Sequence, residues 1–218
     1  MKSSSKSQKK SVAIIGATGI IGREISKCLA TGHYRLLLMD EEPEAIQILA
    51  LQLRQTTSSA EVEVMICARE ASWEADIIIL ATSPDMNHQL AERIREVTVG
   101  KIVVIISQPT QESITTIRYT HSAAEELQQL LPNARVVKTF NTSYALRQFT
   151  ASANHQKPDA FIAGNNGDAV DVVSGLIANA GFIPVPVGDL SMSRTLERMQ
   201  FRIIQESRKQ SGFLVNEL

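Results

Sequence analysis

Three glycines near the start of the chain have the spacing of a turn that binds phosphate. Gly16, Gly19 and Gly22 stand in the segment GATGIIG, which directly follows an apolar run at residues 12–15. Glycine is needed where a chain turns sharply out of a strand, where backbone amides approach a pyrophosphate, and where a helix packs closely on a sheet. The segment therefore predicts a dinucleotide-binding turn, although its spacing is GxxGxxG and not GxGxxG. A tight strand-to-helix turn without a ligand is the alternative.

An acidic residue, Asp40, follows the apolar run at residues 34–39, where the dinucleotide-binding pattern requires a carboxylate. Such a carboxylate can accept hydrogen bonds from the adenosine ribose hydroxyls of NAD. The 2′-phosphate of NADP would meet the charges of Asp40, Glu41 and Glu42, and residues 40–45 include no Lys or Arg. Because like unit charges about 4 Å apart repel by on the order of 1 kcal/mol even in water, we predict NAD in preference to NADP. A solvated acidic turn or a helix cap at Asp40 is the alternative.

Further candidate residues follow later apolar runs, because ligands of an open parallel sheet bind beyond the carboxyl ends of its strands. Small residues follow the run at 76–81, and a dinucleotide could pass over them. Polar residues at 139–143 could offer an amide and hydroxyls to a ring substrate, or form an ordinary capped turn. The predicted cofactor-binding residues are Gly16, Thr18, Gly19, Ile20, Ile21, Gly22, Asp40, Ala81, Thr82, Ser83, Pro84 and Ser107. The predicted substrate-binding residues are Thr139, Asn141 and Thr142.

The elements that must position these residues alternate along the chain. Short apolar runs predict strands at residues 12–15, 34–39, 62–67, 76–81, 101–107, 135–140, 160–163 and 182–187. Amphipathic segments between them predict helices at residues 20–30, 44–55, 86–97, 123–131, 168–180 and 193–207. Most of the runs are continuously apolar, which is typical of strands covered by helices on both faces. The alternation predicts an α/β fold with a doubly wound, Rossmann-type parallel sheet joined by right-handed crossovers.

Composition limits the class of protein and its partners. The chain has 218 residues, of which 44% are hydrophobic, so it can bury a core as one domain. We expect a disordered basic tail at residues 1–11 and a dinucleotide-binding Rossmann domain at residues 12–218, with a small C-terminal α/β extension from about residue 135. The tail holds four of the 22 basic residues and none of the 23 acidic ones. The remainder is therefore acidic, and no nucleic-acid partner is predicted.

Several other partners and sites are not expected. No apolar run is long enough to span a bilayer, and no secretory leader or anchor motif occurs, so we predict a cytoplasmic protein with no membrane partner. The two cysteines, Cys28 and Cys67, lack metal-ligand spacing, and no metal site is predicted. The apolar residues 212–215 predict either packing within the chain or a contact in a homodimer.

A general acid or nucleophile for catalysis is not visible in the sequence. None of the three tyrosines begins a YxxxK pair, no serine stands in GxSxG, and the four histidines have no evident carboxylate partner. Hydride transfer between two ring cofactors is consistent with this gap, since the cofactors supply the chemistry and the protein aligns them. We therefore predict no catalytic side chain, and a small-molecule electron acceptor as the partner.

Four ordered blocks in the C-terminal half match a known family. They are KxFNT at residues 138–142, AGN at 163–165, GF at 181–182, and GDL followed by SRxLExM at 188–199. With these blocks, and with a GxTGxxG form of its glycine turn, the chain resembles the deazaflavin (coenzyme F420)-dependent NADP reductases, a family related to the cytosolic oxidoreductase domain of six-transmembrane metalloreductases. The resemblance implies a nicotinamide cofactor across Gly16 to Gly22 and a deazaflavin or flavin near Asn141 and Thr142.

Two positions depart from the pattern of that family. Asp40 stands where the NADP preference of the family implies a small or basic residue, and residues 107–109 read SQP where a TNP-like turn is expected. We predict an oxidoreductase that passes hydride between a nicotinamide dinucleotide, NAD or NADP, and a deazaflavin or flavin acceptor. The alternative is a non-enzymatic NAD(P)-binding redox sensor of the NmrA-like kind, which the GATGxxG form of the turn also resembles.

Overall fold

A computed structural model describes residues 9–31, 33–56, 59–83, 86–106, 121–139 and 157–210. Eight strands lie in these ranges: β1 (Ser11–Ile15), β2 (Arg35–Met39), β3 (Glu61–Val64), β4 (Ile77–Leu80), β5 (Ile102–Ile105), β6 (Arg135–Lys138), β7 (Asp159–Gly164) and β8 (Ile183–Gly188). The helices in these ranges are α1 (Ile20–Leu29), α2 (Pro43–Thr56), α3 (Ala68–Glu74), α4 (Asn87–Ile94), α5 (Ala123–Leu130), α6 (Gly167–Asn179) and α7 (Ser193–Gln210), with 3₁₀ turns at Arg95–Val97 and Leu190–Met192.

The strands form one sheet in the order β3-β2-β1-β4-β5-β6-β7-β8. The strands β1 to β6 run parallel to one another, in the strand order of a dinucleotide-binding fold. The prediction of a doubly wound α/β sheet is therefore confirmed, with one difference. β7 runs antiparallel to β6, so that Val137 lies opposite Gly164, and β8 is again parallel to β7. An apolar run predicts a buried strand but carries no information about its direction, which is why the reversal was not predicted.

Helices cover both faces of the sheet, and each face has its own core. The central strands β1, β4 and β5 are buried along their whole length. Because successive side chains of a strand point to opposite faces, Ile14 packs in the core beneath α1, α2 and α6, whereas Ala13 packs in the core beneath α3, α4 and α5. This double coverage explains why the strands are continuously apolar in sequence.

The predicted elements differ from the observed ones mainly after β3. The predicted strand at residues 62–67 ends at Val64, and α3, which was not predicted, begins at Ala68. The α3 helix has only seven residues, and its N-cap is Cys67, whose sulfur accepts a hydrogen bond from the Glu70 amide at 3.5 Å. Cysteine is not among the usual capping residues, so the start of this helix carried no sequence signal. At the start of the described chain, Ser11, the last residue of the predicted tail, begins β1.

Two glycines let the first strand, turn and helix pack against one another without clashes. Gly16 adopts a φ of +85°, and a Cβ there would lie 2.9 Å from the backbone carbonyl of Ala81. A Cβ on Gly22 would lie 2.0 Å from the carbonyl oxygen of Gly16. Since that neighbour is backbone and cannot rotate away, α1 can take its position over the turn only with glycine at residue 22.

We expect Gly22→Ala to lower the free energy of unfolding by about 3 kcal/mol or more, because the added methyl group forces α1 away from the turn. Gly175→Ala is the matched control, because it adds the same methyl group inside α6 where no atom lies within 4 Å. It should raise stability by roughly 0.5–1 kcal/mol, the usual gain of Ala over Gly inside a helix. Urea unfolding of the two variants checks this, and a Gly22→Ala protein as stable as wild type would contradict the packing described.

Candidate functional site

The ends of β1, β2 and β4 meet at the carboxyl edge of the sheet. The amides of Gly16 and Ala17 both donate to the carbonyl oxygen of Met39, at 3.0 and 3.2 Å. The amide of Ala81 donates to the carbonyl oxygen of Ile15 at 2.8 Å, which holds the residue after β4 beside the end of β1. The fold thus brings the predicted glycine turn, Asp40 and the residues after β4 together at one edge.

The N-terminus of α1 opens at this edge without a cap from the described part of the chain. Its N-cap is Gly19, which has no side chain that could cap the helix, and no acidic residue stands in the first turn. Among the described residues, a Cβ on Gly19 would meet only the Gly16 carbonyl oxygen, at 3.4 Å, so their packing does not require glycine there. The first amides of a helix have no acceptor within the helix and carry the positive end of its dipole. This arrangement is an open cradle for an anion, and it fits the pyrophosphate of a dinucleotide.

The two isoleucines of the predicted site lie differently. Ile20 is 65% exposed beside the cradle, where its apolar side chain is available to a ligand. Ile21 is half-buried and packs against the core under α1. Its contribution to a ligand site is therefore that of its backbone amide in the first turn.

Asp40 fastens the glycine turn to the end of β2. One carboxylate oxygen accepts a hydrogen bond from the amide of Thr18 at 2.8 Å, and the other accepts from the amide of Glu41 at 2.8 Å. These bonds give Asp40 a structural role, because they join the glycine turn to the end of β2. Each oxygen retains a second lone pair, so the carboxylate can still accept from a ribose hydroxyl.

Arg23 is a residue of this site that was not predicted from the sequence. Its guanidinium donates to the carbonyl oxygen of Thr18 at 3.3 Å, in the turn whose amide Asp40 holds. Within the described ranges, none of the ion pairs involves Arg23. The loop after β2 holds no cation. The guanidinium of Arg23, by contrast, approaches the glycine turn from the first turn of α1. The feature of the sequence that could have pointed to Arg23 is its position directly after Gly22, the last glycine of the turn.

Asn87, a second residue that was not predicted from the sequence, holds the turn after β4. Ala81 and Thr82 are half-buried and Ser83 is exposed. The hydroxyl of Thr82 donates to the amide oxygen of Asn87 at 3.2 Å, and Asn87 is 6% exposed in the first turn of α4. Pro84 and Ser107, both predicted to bind the cofactor, lie outside the described residues.

The end of β6 is polar and fully buried. Lys138 and Thr139 are both 0% exposed, and the Thr139 amide donates to the carbonyl oxygen of Ile105 at 3.3 Å. Burial lowers the pKa of the Lys138 ammonium, and the nearby Glu197 carboxylate acts in the opposite direction. Asn141 and Thr142, predicted to bind the substrate, lie outside the described residues.

A known family model matches the first part of the chain. Residues 11–109 match the family model described as NADP oxidoreductase, coenzyme F420-dependent. The match covers β1 to β5, and therefore the cradle at Gly19, Asp40 and the turn after β4.

Relatives extend the likeness beyond these residues. The F420-dependent NADP reductase of Methanocaldococcus jannaschii is 26% identical over 197 residues, which cover 85% of this chain and 87% of the relative. Metalloreductase STEAP3 of Rattus norvegicus is 26% identical over 195 residues, covering 88% of this chain but 37% of the relative. Metalloreductase STEAP2 of Homo sapiens is 32% identical over 136 residues, covering 62% of this chain and 26% of the relative. The chain thus spans little more than a third of these metalloreductases at most, and the resemblance stated from the sequence is confirmed.

A solved structure shows the same fold. A protein of Arthrobacter sp. FB24 assigned as an F420-dependent NADP reductase superposes with a TM-score of 0.75 at 24% identity, over 94% of this chain and 96% of that one. Within the described ranges, no group of three or more His, Cys, Asp or Glu side chains could hold a metal ion. In the same ranges no helix has both the length and the apolar character to cross a membrane.

We expect Gly19→Ala to leave the fold intact and to weaken the binding of NADH by about tenfold or more, equal to about 1.4 kcal/mol. The new methyl group is tolerated by the chain but stands where a phosphate would approach the amides of α1. Titration calorimetry measures the affinity, and Gly167→Ala, at the start of α6 with no atom within 4 Å, is the matched control. Equal affinities of the two variants would show that no phosphate contacts the cradle.

Proposed function

We propose that this protein is an oxidoreductase that passes hydride between a nicotinamide dinucleotide and a deazaflavin or flavin acceptor. The observation that carries the proposal is the uncapped N-terminus of α1 with its open Gly19, set in residues that match the model of an NADP oxidoreductase family. A ligand phosphate would explain a glycine at the positive end of a helix that the packing of the described residues does not need.

The residues of this chain have separate tasks in binding the dinucleotide. The amides of Gly19, Ile20 and Ile21 would hold the pyrophosphate, and Asp40 would accept from the adenosine ribose. Ala81, Thr82 and Ser83 would support the nicotinamide half where it crosses the end of β4, with Pro84 and Ser107 as proposed neighbours. When bound, the nicotinamide ring supplies the hydride.

Alignment is the main contribution that the protein would make to catalysis. Hydride transfer between two rings is accelerated when the reacting atoms are held about 3–3.5 Å apart, and it needs no general acid from the protein. We place the acceptor at the end of β6, next to Thr139, Asn141 and Thr142. The hydroxyl of Thr139 supports this placement, because it is buried and has no hydrogen-bond partner among the described residues.

An activity assay tests the proposed function. Purified protein is mixed with NADH or NADPH and with coenzyme F420, FMN or FAD, and the near-ultraviolet absorbance of the reduced nicotinamide is followed. We expect its loss with at least one acceptor, and we expect Gly19→Ala to slow it in proportion to its weaker binding. Binding of the dinucleotide without turnover of any acceptor would instead favour the redox sensor.

We also propose that the protein binds NADH more tightly than NADPH, because Asp40 is anionic and two more acids follow it. Asp40→Asn should reduce the ratio of NADH affinity to NADPH affinity about tenfold. The amide oxygen can still accept a hydrogen bond from the Thr18 amide, but the negative charge is lost. Glu42→Gln, which also removes one charge from this exposed loop, is the control and should have a smaller effect. Fluorescence titration of the wild type and the two variants measures the ratio of their affinities for NADH and NADPH. A wild type that prefers NADPH would contradict this role of Asp40.

A further inference from the structure

Two charged residues from separate sequence blocks meet in the interior of the protein. Lys138, the last residue of β6, lies with its ammonium nitrogen 3.7 Å from a carboxylate oxygen of Glu197 in α7. Their side chains are 0% and 5% exposed. Burying two charges is costly, and a buried pair is often no more stabilising than apolar side chains of the same shape. Stability alone is therefore a poor explanation for this pair.

The Glu197 carboxylate also contacts a third element. Its other oxygen accepts a hydrogen bond from the amide of Ala123, the first residue of α5, at 3.2 Å. A carboxylate at a helix N-terminus is favoured by the unsatisfied amides and the dipole there. Glu197 thus joins the end of β6, the start of α5 and α7 in a single buried contact.

Two polar side chains that lie close to the pair in sequence are buried without a hydrogen-bond partner among the described residues. Gln200, one turn further along α7, is 2% exposed, and neither of its amide atoms has a hydrogen-bond partner among the described residues. The hydroxyl of Thr139 is in the same situation. Buried polar atoms without partners are rare in folded proteins and call for an explanation such as a functional constraint.

We propose that Lys138 and Glu197 are positioning residues for the electron acceptor. They fix the end of β6 against α5 and α7, and the proposed acceptor site begins at the next residue, Thr139. This inference rests on the proposed function, because it concerns the second ligand of the same reaction. It differs from a role in dinucleotide binding, since the cradle at Gly19 follows β1, and β4 and β5 lie between β1 and β6 in the sheet.

A second ion pair provides a matched control, because it joins the same two helices without touching β6. Arg194 of α7 donates to both carboxylate oxygens of Glu125 in α5, at 2.5 and 2.7 Å, and Arg194 is 39% exposed. If docking of α7 on α5 were all that mattered, loss of this pair would have the same effect as loss of the buried one.

The test compares Lys138→Met, Glu197→Gln, the double variant with both changes, and Arg194→Met. Fluorescence titration gives the Kd of each protein for FMN, FAD and coenzyme F420 and, separately, for NADH. Urea unfolding gives the stability of each. The double variant removes both charges of this pair, and the amide oxygen introduced by Glu197→Gln can still accept from the Ala123 amide. Its stability should therefore exceed that of Lys138→Met.

We expect both single variants and the double variant to weaken acceptor binding about tenfold or more, with NADH binding within about twofold of wild type. Arg194→Met should change neither affinity by more than about twofold. Recovery of acceptor binding in the double variant along with its stability, or an equal loss in Arg194→Met, would overturn the inference and leave the proposed function standing. A wild type that binds NADH but none of the three acceptors would overturn both.

Discussion

The close packing of α1 against the turn after β1 is the constraint on which the candidate site depends. A Cβ at Gly22 would stand 2.0 Å from the Gly16 carbonyl oxygen, so backbone lies against backbone at this point. The same turn is held from its other side by Met39, whose carbonyl oxygen accepts from Gly16 and Ala17. Because these contacts involve main-chain atoms, the first amides of α1 have a fixed direction at the carboxyl edge of the sheet. Fixed dipoles can bind an anion without first reorganising.

The two ends of this edge are held by different physical means. At β1 the means is close packing that glycine alone permits, and at β6 it is a buried charge pair between Lys138 and Glu197. Close packing leaves amides open toward a ligand, whereas the charge pair is enclosed and fixes backbone direction at some cost in desolvation. If the protein aligns two rings as proposed, both supports would have to be rigid, since a displacement of about 1 Å can greatly reduce the rate.

Sequence patterns predicted the parts of this structure that depend on local chemistry. Short apolar runs indicated each of the eight described strands, and the glycine spacing indicated the turn, because burial and steric freedom are properties of single residues. The direction of β7, the approach of Arg23 to Thr18 and the meeting of Lys138 with Glu197 depend instead on how distant segments pack. The helix α3 was missed for a third reason, since a cysteine sulfur at Cys67 takes the place of the usual capping oxygen.

The proposed preference for NADH would depend on the charges that flank one short turn, and not on the Asp40 carboxylate alone. Thr18 is bound on its amide by the anionic Asp40 and on its carbonyl by the cationic Arg23, so charges of opposite sign flank the same turn. A 2′-phosphate beside this turn would be repelled by the first and attracted by the second. Whether the 2′-phosphate is repelled or attracted overall depends on which of the two charges lies nearer to it and is less exposed to water, because Coulomb energies fall with distance and with screening. The match to a family model described by its use of NADP therefore does not by itself determine which dinucleotide this chain would prefer.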